Sequence, residues 1–133
     1  MDIRILILRM FVHILSSSIT MDTNVLDEKE LRIFKKTIEM ANKASNGLLY
    51  NAAVFGSRAR GDNNEDSDLD VCLIFDMEVE DIIYITHNFM GELVNLQCDE
   101  GLEINTYSIS KLRFINRDVS VIRNIVKEGV FWK

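Results

Sequence analysis

The stretch "GSRARGDNNEDSDLDV", Gly56 to Val71, sets a glycine–serine step and two arginines ahead of an acidic loop that runs straight into an apolar segment. Upstream, "LLYNAAVF" (Leu48 to Phe55) is short and mostly apolar and reads as a strand that ends at Gly56. Downstream, "DLDVCLIF" (Asp68 to Phe75) is apolar at every position from Val71, as expected of a central strand buried on both faces. The pattern predicts two strands joined by a glycine turn, a short helix carrying Arg58 and Arg60 that Gly61 ends, and a polar loop. A solvated loop needs charge, but it has no need of this order.

Asp68 and Asp70 supply one reason for the order. Strand side chains alternate, so residues two apart share a face, roughly 6–7 Å apart along the backbone. Two carboxylates at that spacing can converge on one hard cation or flank a pair, while Leu69 between them points into the core. Mg²⁺ takes oxygen ligands and keeps positions free for water and phosphate. Two such ions about 3.5–4 Å apart can clamp the entering and leaving oxygens of an in-line phosphoryl displacement. Gly56 and Ser57 supply the other half. A strand ending in Gly-Ser at a helix start leaves backbone N–H groups for phosphate oxygens, and the Ser57 hydroxyl can donate to a terminal phosphate. Each signal alone has a plainer reading: Asp-x-Asp at a strand start can be a capping loop, and glycine turns after strands are common. Side by side they describe a phosphate grip next to a metal grip, which is what a nucleoside triphosphate with magnesium requires.

The flanking segments complete one domain. Asp27 with Glu30 three residues later forms a capping-box signature, Leu31, Phe34, Ile38 and Ala41 come next at helical spacing, and Gly47 supplies a stop. Between Glu80 and Gln97, Ile82, Ile85, Phe89, Leu93 and Leu96 line one helical face, which Gly91 weakens. "GLEINTYSI" (Gly101 to Ile109) alternates as a third strand, with Glu103, Asn105 and Tyr107 on one face. "KLRFINRDVSVIRNIVKEG" (Lys111 to Gly129) reads as one closing helix with Ile115, Val119, Ile122 and Val126 inward. The order indicates an α/β or α+β domain, a single sheet backed by helices.

Composition narrows the function classes. A chain of 133 residues with 47% hydrophobic and 27% charged residues is globular and forms one core. A formal charge of −6 argues against non-specific binding to DNA or RNA, which depends on clustered Lys and Arg. It leaves nucleotides open, because a divalent metal neutralises both partners. Cys72 and Cys98 have no metal or redox spacing, and Cys72 reads as a buried free thiol of a cytoplasmic protein. "IRILILRMFVHIL" (Ile3 to Leu15) is broken by Arg4, Arg9 and His13. It is too short to span a bilayer and a poor secretory signal, so no membrane association is expected. Residues 1–20 are expected to be an extension of the domain at 21–133.

"FGSRARG" followed by "SDLDV" resembles the nucleotidyltransferase domain of the DNA polymerase β superfamily: Gly-Ser, a spacer of about ten residues, then Asp-x-Asp. The likeness covers most of residues 24–133 and is nearest to the small stand-alone members called minimal nucleotidyltransferases, whose C-terminal helix "NIVKEGVFWK" is similar to. It implies a mixed sheet in the polymerase β-like fold. It also implies that Gly56, Ser57 and Arg58 hold the triphosphate of ATP or another NTP, and that Asp68 and Asp70 bind Mg²⁺, with two ions in all. A third carboxylate on a neighbouring strand is best matched by Glu103, where the family more often has Asp. Asn105 on the same face is an uncharged alternative ligand. The family's small members often act as antitoxins that silence a helical HEPN nuclease by transferring AMP to a tyrosine hydroxyl. The resemblance therefore implies a HEPN-type partner, or a second copy of the chain, as the source of the acceptor. Transfer to a small molecule such as an aminoglycoside, or a degenerate module that only binds nucleotide or partner, are the alternatives. Arg60 reads equally as a surface ion pair, Asp62, Glu65 and Asp66 as a solvated loop, and His87 as a surface or half-buried histidine. Phe131 and Trp132 read as packing on the domain, with a partner interface as the alternative.

Overall fold

The computed structural model describes residues 25–133, so the proposed extension at 1–20 lies outside the described residues. Helix α1 (Glu28–Ala44) starts at the expected capping box. Asp27 accepts from the Glu30 N–H at 2.7 Å and the Glu30 carboxylate accepts from the Asp27 N–H at 2.8 Å. The helix stops where Asn46 and Gly47 both take positive φ. Strand β1 (Leu49–Phe55), the short helix α2 (Gly56–Arg60) and strand β2 (Leu69–Phe75) come next, then the long helix α3 (Val79–Glu100) and strand β3 (Ile104–Ser110).

The expected single closing helix is two helices, α4 (Lys111–Asn116) and α5 (Ser120–Glu128). Arg117 adopts φ +51 and its N–H turns back to the Phe114 carbonyl, which ends α4 and resets the helical phase before α5 begins. The buried stripe of α5 is accordingly Ile122 and Ile125, whereas Ile115 and Val126, expected to face inward, are exposed. A short strand β4 (Val130–Phe131), not expected from the sequence, then pairs antiparallel with β1.

The sheet order is β3-β2-β1-β4, with β2–β3 parallel and the other pairs antiparallel. It is the single mixed sheet backed by helices that the sequence indicates. β2 is central, and its alternation divides the molecule. Leu69, Val71, Leu73 and Phe75 join the large core beneath α1 and α3, where Ile33, Phe34, Phe89 and Leu93 are buried. Cys72 and Ile74 join a smaller core with Ala53, Ile109, Ile122 and Ile125 beneath α5, and Phe114 of α4 packs against it. Phe131 and Trp132 are half-buried against these two cores. None of the described helices is long and apolar enough to cross a membrane.

Candidate functional site

The smaller core stops short of the N-terminal ends of β2 and β3, and the polar side chains on that face lie there. In register, Phe55 of β1 and Asn105 of β3 flank Asp70. The chain leaves β1 at Gly56 with φ +74, a backbone conformation that L side chains rarely adopt. A Cβ at this position would collide with the Asp70 carboxylate. Glycine is required here twice over, once for the turn and once to leave Asp70 its space.

Asp68, just before β2, and Asp70, its second residue, present their carboxylates to one amide. The Asn105 side chain donates to Asp68 Oδ2 at 2.8 Å and to Asp70 Oδ1 at 3.4 Å. Burial pushes the Asp70 carboxyl above its ordinary pKa and the Asp68 charge adds to this, while the Asn105 hydrogen bond and Arg60 oppose it. Two carboxylates pointing at one spot are a destabilising arrangement that a cation would relieve. Glu103 is not in this group. It is exposed, precedes β3 by one residue, and its backbone carbonyl accepts from the Leu69 N–H at 2.8 Å. Among the described residues no three acidic, histidine or cysteine side chains gather closely enough to hold a metal. The donor set of two carboxylates, with an amide that can turn its oxygen toward them, fits one hard cation such as Mg²⁺. Among the described residues no third carboxylate joins them to hold a second ion.

Arg58 is also placed differently from a phosphate contact. It is buried, its Nη1 bonds Glu30 Oε2 at 3.0 Å, and its Nε donates to the Ser67 carbonyl at 2.9 Å. Arg60 is exposed and pairs with Asp62 and Glu128, each at 3.1 Å. Ser57 is half-buried at the first turn of α2, and its carbonyl accepts from the N–H groups of Gly61 and Asp62. The loop acids Asp62, Glu65 and Asp66 and His87 are exposed, as the sequence suggested.

The profile described as "Nucleotidyltransferase domain" matches residues 32–131. The chain belongs to this family. Among solved structures, a Sulfolobus solfataricus protein whose name assigns it provisionally to the nucleotidyltransferases is similar at 24% identity. The match covers 78% of this chain and 82% of that one, with a TM-score of 0.48. A mutant of the toxin–antitoxin complex MntA–HpeT matches at 12% identity over 75% of this chain and 72% of that one, with a TM-score of 0.47. No curated protein sequence matches the chain.

Two residues of this nucleotidyltransferase domain went unnoticed in the sequence as parts of the site. Glu128, the last residue of α5, accepts from the Gly56 N–H at 3.3 Å as well as from Arg60. No local pattern marks it, because β4 pairing with β1 brings the end of α5 there. Glu30 carries a local mark, the capping box, but that signature accounts for only one of its two oxygens. The other oxygen meets Arg58, 28 residues away.

Proposed function

We propose that this nucleotidyltransferase domain transfers a nucleoside monophosphate, AMP from ATP, to a hydroxyl of a partner protein, as the antitoxin of a pair with a helical HEPN-type toxin. The observation that carries the reading is the convergence of Asp68 and Asp70 beside the Gly56 turn, at the start of the strand whose Asp-x-Asp resembles the family's motif. Asp68 and Asp70 would hold Mg²⁺, and Asn105 could lend its amide oxygen. The ion supplies charge neutralisation for the triphosphate and polarises the phosphorus under attack. The Gly56 turn lets the chain pass close against Asp70. Its N–H is held by Glu128 rather than left for phosphate, and the Ser57 hydroxyl is the donor for phosphate oxygens. The acceptor hydroxyl then attacks the α-phosphorus in line, the bond to the bridging oxygen breaks, and pyrophosphate departs. The toxin–antitoxin setting rests on the resemblance of the Gly-Ser and Asp-x-Asp motifs to those of minimal nucleotidyltransferases.

Asn105 favours a second reading, a domain that binds magnesium nucleotide without transferring it. It stands in register with Asp70 where a third carboxylate would complete the site, and catalysis by orientation is sensitive to small losses of this kind. One experiment decides between the two: purified protein, ATP labelled at the α-phosphate, Mg²⁺ and the cognate helical partner. Label on the partner that disappears in Asp68→Asn/Asp70→Asn supports transfer. Magnesium-dependent nucleotide binding without label, with label appearing in Asn105→Asp, supports the second reading. No magnesium-dependent binding of any nucleotide would sink both.

A further inference from the structure

The loop between α2 and β2 leads into Asp68, whose carboxylate Asn105 also holds and whose successor Leu69 is fixed in the sheet. Few contacts hold the loop itself. Gly61 to Asp66 are all exposed. The hydrogen bonds among Asn64, Asp66 and Ser67 stay inside the loop. Among the described residues, the hydrogen bond that ties residues 63–67 to the rest of the fold is the one from Arg58 Nε to the Ser67 carbonyl. Arg58 is in turn fixed by Glu30, and Glu30 by the Asp27 N–H. A continuous chain of contacts thus runs from the start of α1 to the residue preceding Asp68.

This chain is an expensive way to fill space. The Arg58 and Glu30 side chains are 8% and 6% exposed, and taking both charges out of water costs much of what their attraction returns. An apolar pair of similar volume is often equally stable or more so. An apolar pair, however, cannot grip a carbonyl. The planar guanidinium donates in two fixed directions at once, which an ammonium on a flexible stem does not reproduce.

We propose that Arg58 is a positioning residue for the Asp68–Asp70 cation site. Backed by Glu30, its hold on the Ser67 carbonyl sets where Asp68 stands beside Asp70, so divalent-cation affinity depends on two side chains that touch neither cation nor nucleotide. The proposal rests on the reading of Asp68 and Asp70 as cation ligands. Supporting contacts around metal ligands change affinity by roughly 10–100-fold, which sets the expected scale.

The test is Mn²⁺ binding to the protein alone, followed by electron paramagnetic resonance, with the unfolding midpoint recorded for each variant. Arg58→Lys keeps a charge for Glu30 and removes the Nε donor; its Mn²⁺ dissociation constant should rise about tenfold. Glu30→Gln with Arg58→Met removes both charges and leaves residue 30 an oxygen for the Asp27 N–H. It should match or exceed the wild-type unfolding midpoint and still lose Mn²⁺ affinity to a similar degree. A pair that only stabilises the fold would let binding follow stability, so wild-type affinity in either folded variant overturns the proposal. Asp68→Asn/Asp70→Asn separates this failure from failure of the cation site. If Mn²⁺ binding is absent in the wild type or survives in that variant, the cation reading falls and the proposal with it. If binding needs the two aspartates but ignores Arg58, the positioning role alone is overturned.

Discussion

The two faces of β2 carry different burdens. On one, Leu69, Val71, Leu73 and Phe75 are all fully buried under α1 and α3, and the face is closed along its whole length. On the other, Cys72 and Ile74 are buried as well, but Asp70 is only partly covered and Asp68 precedes the strand. One strand thus anchors the domain with its odd-numbered residues and carries the candidate site's acid at the first of its even-numbered ones. Alternation is the device that lets a seven-residue segment do both without compromise. The closed face can be weakened without touching the chemistry, and the acids can be removed without touching the large core.

That separation can be broken or sharpened by experiment. The largest effect on stability is expected on the closed face. Leu73→Ala should cost about 2–5 kcal/mol in urea unfolding, and the fraction that remains folded should bind Mn²⁺ as the wild type does. Loss of binding in the folded protein would mean the two faces are coupled. Gly56→Ala should cost about 1–2 kcal/mol for the left-handed backbone alone, and should weaken Mn²⁺ binding because the new methyl displaces Asp70. Combining it with Asp70→Ala should return part of the lost stability, since the colliding carboxylate is then gone; strict additivity would refute the contact.

The smallest effect concerns how far closure extends on the open face. Burial pushes the Cys72 thiol up to about 12 from 9.0. The folded state therefore keeps its proton where the unfolded state loses it. By linkage, the contribution is constant below about pH 9, and stability falls as pH rises from there toward about 12. A thiol reagent at neutral pH should label the exposed Cys98 at once and Cys72 only on unfolding. Rapid labelling of both would show that the open region reaches deeper than Asp70.

Legibility in the sequence tracked the range of the interactions. The capping box at Asp27 and Glu30, the glycine turn, the short helix ended by Gly61 and the apolar run from Val71 are written in neighbouring residues, and each was readable. The break at Arg117 was not, because Phe114 through Val119 keeps a helical apolar spacing and a non-glycine residue at positive φ leaves no compositional mark. β4 was too short to show a strand pattern. Within the site, Asp68 and Asp70 could be found from their two-residue spacing. The choice between Glu103 and Asn105 could not, because alternation in the sequence puts both on the same side of the chain. The side chains separate them: the Asn105 amide bonds both aspartates, whereas Glu103 joins no acidic cluster with them. Arg58 looked like a phosphate ligand for a related reason: sequence shows a charge near a turn but not the buried partner that claims it.

The mutual fit of Gly56 and Asp70 restricts the order in which this domain could drift. A larger residue at 56 meets the Asp70 carboxylate and must push it aside, so decay of the turn is easier once the acid has shrunk. A descendant that had abandoned its chemistry should therefore lose Asp70 earlier than Gly56. A homologous chain carrying a bulky residue at the turn together with an intact aspartate on the strand would need a different path out of β1.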